Sequence, residues 1–173
     1  MRFYNPTECA QWCEEIGVAL DDRRKPLCEF PQPHRLRCNF PPPFTRLLWF
    51  SRCIEAALEP RRTCLLWVTD SGIFPSNENN HLYYRLRHSY GDFRLLHEAP
   101  GHLCLDYESA EVVTLIYLSI LFGWDVHLIP TAGYGRAFVS HDEWALLGFD
   151  GKAQFEERRQ SFEKAGLKLS APV

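Results

Sequence analysis

The run Thr63-Cys64-Leu65-Leu66-Trp67-Val68-Thr69 constrains the fold more than any other stretch of the chain. It is a short apolar run with no break and reads as a buried strand. Such a strand needs partners beside it and apolar layers against it, and the rest of the sequence has to supply them.

The flanking segments mix helix and strand signals. Pro6-Thr7-Glu8 opens a first helix, with Thr7 as N-cap and Gly17 just past its end. Leu20 to Pro33 is charged and proline-bearing and reads as a loop. His34 to Phe40 is a short strand. After three prolines, Phe44 to Leu58 forms a second helix with Leu47, Leu48, Ile54 and Leu58 on its apolar stripe. Ser76 caps a third helix running through Tyr90. Its inner face is expected to carry Leu82, Leu86 and Tyr90, with Tyr83 alongside, and Arg85, Arg87 and His88 on or near its outer flank. Phe93–Leu96 and Leu103–Leu105 read as two short strands. Ser109 caps a fourth helix, Ala110 to Phe122, apolar nearly all round and stopped by Gly123. Val126–Ile129 and Arg136–Ser140 form a hairpin in which polar His127 takes the exposed side. Lys152 to Lys164 is the last helix, followed by Gly166.

This order predicts an α+β fold, or an α/β sandwich, with one central mixed sheet flanked by helices. A single domain is expected over residues 1–173. Within it, residues 1–62 form a variable N-terminal part, 63–149 the motif-bearing core, and 150–173 a C-terminal helix and tail.

The formal charge of −3 lacks the basic excess of a nucleic-acid binder, so no nucleic-acid partner is expected. The longest apolar run, Val112 to Trp124, is too short to span a bilayer, and the N-terminus has no apolar leader pattern. No membrane partner is expected, and a cytoplasmic location is. The seven cysteines include no CxxC pair and read as reduced core thiols. Cys9 and Cys13 share a helix face, which leaves a metal reading open, but no metal or other cofactor is expected.

The stretch Leu95-Leu96-His97-Glu98-Ala99-Pro100-Gly101-His102 raises the sharpest chemical question. Helical zinc sites use HExxH. Here the spacing is HExxxH, and Pro100-Gly101 would break a helix. A strand, a Pro-Gly turn and a second strand fit better, with His97 and His102 facing each other across a hairpin. On an enzymatic reading His97, Glu98, His102 and Asp106 would bind metal or move protons, with His141 as a further candidate. The competing reading is a turn whose histidines hydrogen-bond backbone. No GxSxG elbow or phosphate-loop motif is present.

Trp67 to Tyr90 joins the buried strand to an aromatic, arginine-bearing helix through a polar loop. Tyr, Trp and Arg dominate interface hot spots, and loops on rigid elements carry recognition. The candidate interface is Ser71, Phe74, Asn77, Glu78, Asn80, Tyr83, Tyr84 and Arg85. The acidic pairs Glu14-Glu15 and Asp21-Asp22 are secondary candidates.

The elements TDSGIFPSNEN, HLYYRLRHSYGD, LLHEAPGH, LFGWDVHLIP and FVSHDE, together spanning Trp67 to Glu143, resemble a family of small bacterial proteins. The resemblance implies a place among immunity proteins paired with polymorphic or Rhs-type toxins delivered between bacteria, as by type VI secretion. The implied partner is a cognate protein toxin, met through its C-terminal domain, and the implied activity is occlusion of the toxin's active site. No active-site residue transfers from the family. Two alternatives stand beside it: a small metal-dependent or histidine-based hydrolase, and a scaffold or adaptor subunit.

Overall fold

The computed structural model describes residues 1–27, 31–42, 44–58, 63–72, 80–131 and 135–170, and the account below concerns these. The fold is α+β. Eight strands make one sheet in the order β1-β4-β3-β5-β6-β7-β2-β8. They are β1 (Arg2–Tyr4), β2 (His34–Asn39), β3 (Cys64–Asp70), β4 (Gly101–Cys104), β5 (Asp125–Pro130), β6 (Arg136–Ser140), β7 (Trp144–Phe149) and β8 (Leu169–Ser170). Every pairing among them is antiparallel, so the sheet is not mixed. The helices are α1 (Pro6–Glu15), α2 (Leu47–Ala57), α3 (Asn80–Ser89), α4 (Ser109–Phe122) and α5 (Lys152–Lys164). Residues 1–62 contribute β1 and β2, near opposite edges, and so are woven into the same sheet as the rest.

Strand β3 is buried from Cys64 to Val68 because the sheet is covered on both faces. On one face Cys64, Leu66 and Val68 join Leu128, Leu147 and Phe149 beneath α2, α4 and α5, through Phe50, Ile54, Ile116 and Phe162. On the other face Leu65 and Trp67 meet Cys9, Ala10 and Cys13 of α1. Double coverage also explains His127. It alternates with apolar neighbours as expected, yet it is buried and packs on Phe138 at 4.6 Å between ring centroids. Alternation marks the solvent side only where one face is wet.

Several boundaries differ from expectation. The N-cap of α1 is Asn5, not Thr7. Its side chain accepts from the Glu8 N–H while the Glu8 carboxylate accepts from the Asn5 N–H, a reciprocal capping box. Leu48 on α2 is exposed, while Leu47, Ile54 and Leu58 are buried. Ser109 begins α4, and its hydroxyl donates to Glu55 on α2, so it ties two helices together and does not cap. Residues 93–96 form no strand. The expected cap Ser76 lies outside the described residues. His141 to Glu143 is a tight turn into β7, with Glu143 at φ +64°.

Gly101 begins β4 and has a packing role. A Cβ there would stand 2.3 Å from Cys9 Sγ and 2.9 Å from Tyr4 Cβ, so α1 crosses where only hydrogen fits. Cys9 and Cys13 do share a face, but that face is sealed against the sheet. Burial pushes the Cys13 thiol up to about 11, and Cys9 higher. Both behave as packing groups, and no set of three metal-ligating side chains is grouped among the described residues.

Candidate binding site

The HEAPGH stretch does not form the expected hairpin. Strand β4 pairs with β3 and β1 instead, His102 opposite Leu66 and Phe3. His97 and His102 therefore do not face each other. His102 is 1% exposed, whereas His97 is exposed in the turn before Pro100. Glu98 Oε2 accepts from the Leu95 N–H at 2.6 Å, which closes that turn. Asp106 is exposed beyond the far end of β4. The four residues of the enzymatic reading thus do not come together: His97 and Glu98 share an exposed turn, where the Glu98 carboxylate is taken by the Leu95 N–H, His102 is buried in β4, and Asp106 is exposed beyond it.

What His102 does join is a buried chain of hydrogen bonds. Its Nδ1 lies 3.3 Å from the Leu66 carbonyl, which can only accept, so the ring proton sits on Nδ1. Nε2 is then free to accept from the Tyr83 hydroxyl at 2.7 Å. The Tyr83 oxygen accepts in turn from Arg87 Nη1 at 2.7 Å, and the same Nη1 donates to the Ala99 carbonyl at 3.0 Å. Arg87 Nε donates to Asp92 Oδ1 at 2.9 Å. The guanidinium stacks 4.5 Å from the Phe3 ring centroid. Burial alone would raise the Asp92 carboxyl; hydrogen bonds from Arg94 and Arg87 overcome it and bring it down to about 2.

This chain turns the expected face of α3. Tyr83, expected alongside the inner face, and Arg87, expected outside, point inward and are 1% and 0% exposed; Leu86 is half-buried against the core, while Leu82 and Tyr90 are exposed. Tyr83 is therefore core and not interface. Tyr84 is half-buried, and its hydroxyl accepts from the Leu96 N–H at 3.2 Å, so it braces the turn. Arg85 and Ser71 are exposed, and Asn80 is half-buried at the start of α3. Phe74, Asn77 and Glu78 lie outside the described residues. The acidic pairs are partly engaged: Glu14 meets Arg24 at 2.7 Å, and Asp21 Oδ1 accepts from the Arg23 and Lys25 N–H groups.

The outward side of this region carries aromatic and apolar groups that sequence periodicity did not single out. Phe93 is 74% exposed and Tyr107 78%; Leu82, Tyr90 and Leu95 are also open. The Tyr90 hydroxyl donates to Glu111 at 2.8 Å, which draws the start of α4, and with it the loop carrying Tyr107, to the end of α3. His88 packs on Phe93 at 4.8 Å between centroids. Arg85 and Arg94 lie on the same segment.

A cleft of about 360 Å³ opens beside α1, β3 and the turn before β4. It brings Ser71 and His97, candidates from two different motifs, to one cavity with Arg23, Arg24 and Lys25. Trp67, Leu96 and Pro100 form its apolar wall. No sequence spacing connects these residues; the cleft arises because β3 and β4 are neighbours and the 21–25 turn folds back to the end of β3.

The buried imidazoles give stability a pH dependence. Burial, then the Arg87 charge, pushes His102 from 6.5 down to about 4. Burial, with Arg136 and Lys25, pushes His127 down to about 3. Below pH 6.5 the unfolded chain binds protons that the folded chain refuses, so stability falls as pH drops. Each ring removes up to about 1.4 kcal/mol per pH unit across its window. His141, raised by its hydrogen bond to Asp125 against the opposing pull of burial, contributes with the opposite sign and offsets part of this. Urea midpoints should fall between pH 7 and pH 5, and less steeply in His127→Gln; identical midpoints at the two pH values would contradict the buried neutral rings.

Comparisons with protein-family models, with curated proteins and with solved structures found no match.

Proposed function

We infer that this chain is an immunity-type binding protein, which neutralises a cognate protein toxin by covering the toxin's active site. The observation that carries the reading is the set of exposed groups Leu82 on α3, Tyr90, Phe93 and Leu95 in the segment that follows it, and Tyr107 in the loop before α4, with α3 anchored from beneath by Arg87 and Tyr83. Exposed aromatics beside arginines are the residue types that supply interface energy. A rigid mount keeps the ordering cost of binding low. The dispersal of His97, Glu98, His102 and Asp106 favours binding over hydrolysis. No helix among the described residues is long and apolar enough to cross a membrane.

The test is affinity capture of the tagged chain from its source cells, with mass spectrometry and a metal assay on the same sample. The expected result is one near-stoichiometric partner carrying a toxin-like C-terminal domain. The double variant Phe93→Asp, Tyr107→Asp should lose that partner while melting within about 3 °C of wild type, as surface changes do. Retention of the partner by the double variant would move the interface elsewhere. A partner-free protein holding a stoichiometric transition metal that is lost in His97→Ala would replace the binder with the enzyme. A persistent partner whose activity the chain leaves untouched would favour the adaptor.

A further inference from the structure

The cleft beside α1 has its own chemistry, separate from the exposed aromatics that follow α3. Its cationic side is the run Arg23-Arg24-Lys25, with His97 opposite on the turn before Pro100. The backbone of this turn is pinned, and two of its side chains have partners. Asp21 Oδ1 accepts from the Arg23 N–H at 2.9 Å and the Lys25 N–H at 2.8 Å, which folds the turn. Lys25 Nζ donates to the Thr69 carbonyl at 2.6 Å, which fixes the ammonium at the end of β3. Arg24 is partly neutralised by Glu14 at 2.7 Å, whereas no carboxylate is among the described residues lining the cleft. The hydroxyls of Thr7 and Ser71 add donors, while that of Thr69 donates to the Asp125 carbonyl at 3.5 Å. The same cleft is lined by apolar Trp67, Leu96 and Pro100. The volume of about 360 Å³ is that of a small-molecule site.

We propose that this cleft binds a small amphipathic anion, with its phosphate or carboxylate oxygens on Arg23, Lys25 and His97 and its planar or aliphatic body against Trp67 and Leu96. The Lys25 ammonium is fixed before the ligand arrives and loses little freedom on binding, the Arg23 guanidinium is carried on a pinned backbone, and the adjacent apolar groups strengthen the charge-assisted hydrogen bonds by excluding water. The two anionic groups share this chemistry, and the test separates them. The reading does not depend on the toxin-binding proposal, since it concerns the chain alone.

The experiment is isothermal titration calorimetry of the full chain at low ionic strength with phenyl phosphate and benzoate, and with phenol and benzamide as neutral counterparts. At least one anion should bind saturably, and the tighter of the two identifies the group. The neutral compounds should bind about tenfold more weakly or not at all, because they leave the cations unpaired. Added salt should weaken the anion further. Arg23→Ala with Lys25→Ala should weaken it at least about tenfold, and Arg23→Glu more so; both residues are exposed, and a thermal melt checks the fold. No saturable binding of either anion, equal binding of the neutral counterparts, or unchanged affinity in both variants would overturn the proposal.

Discussion

Replacing Arg87 by alanine will destabilise the protein by about 3–5 kcal/mol, the range for breaking a buried ion pair from one side. The guanidinium is 0% exposed and serves the Asp92 carboxylate, the Tyr83 hydroxyl and the Ala99 carbonyl. Its removal strips partners from all three groups and leaves a void under Phe3. Asp92 keeps Arg94, so its charge is not wholly orphaned, and the lower part of the range is expected. Arg87→Lys should recover little, because a single ammonium cannot reach Asp92 and Tyr83 along a fork. Tyr83→Phe removes only one hydroxyl and should cost about 1–3 kcal/mol by leaving His102 Nε2 and Arg87 without it. Urea denaturation measures all three. A loss below about 1 kcal/mol for Arg87→Ala would show that the chain from Asp92 to Leu66 does not hold α3 to the sheet.

Gly101→Val is expected to have a comparable effect by the opposite route. The added Cβ would meet Cys9 Sγ at 2.3 Å, Tyr4 Cβ at 2.9 Å and Leu65 Cδ1 at 3.2 Å. These atoms belong to α1, β1 and β3, so relieving the clash moves an entire helix or an edge strand. Overpacking in a dense core costs about 1–3 kcal/mol, and valine, with its branches aimed into the same crossing, should reach the top of that range. Gly101→Ala should cost less. Cys9→Ala removes the nearest atom and should rescue part of the Gly101→Ala loss, an interaction that a double-mutant cycle reads directly. If Gly101→Ala proved neutral, α1 would not pack on β4 as closely as described.

These two positions also mark where sequence reading stopped. Gly101 follows Pro100, and that dipeptide signals a turn; nothing local tells a turn glycine from one that a distant helix passes over. An arginine on a helix usually faces water, and the partner that draws Arg87 inward, Asp92, lies past the helix end, so periodicity alone puts Arg87 outside. His127 is hidden from periodicity for a related reason: in a sheet covered on both faces, alternation still holds but no longer sorts core from solvent. Strands β1 and β8 span three and two residues, too short for any periodic signal. Where local chemistry decides the structure, the sequence was readable. The unbroken run in β3, the strand of β2, the β5 and β6 strands, and the left-handed stops Gly123 at φ +64° and Gly166 at φ +75° all appear where expected. The α+β class followed from them. Of the expected interface, Ser71 and Arg85 are open to solvent and Tyr83 is not. The cleft that joins Ser71 to His97 and to Arg23 through Lys25 depends on strand order, which no spacing in the chain encodes.

The central claim is that this chain neutralises a toxin by binding it. The most direct measurement is growth of cells expressing the captured partner's C-terminal domain, with and without this protein. Wild type should restore growth, and Phe93→Asp with Tyr107→Asp should fail to, although it folds and accumulates equally. A partner domain that is harmless by itself, or a toxicity that wild type leaves unchanged, would contradict the account.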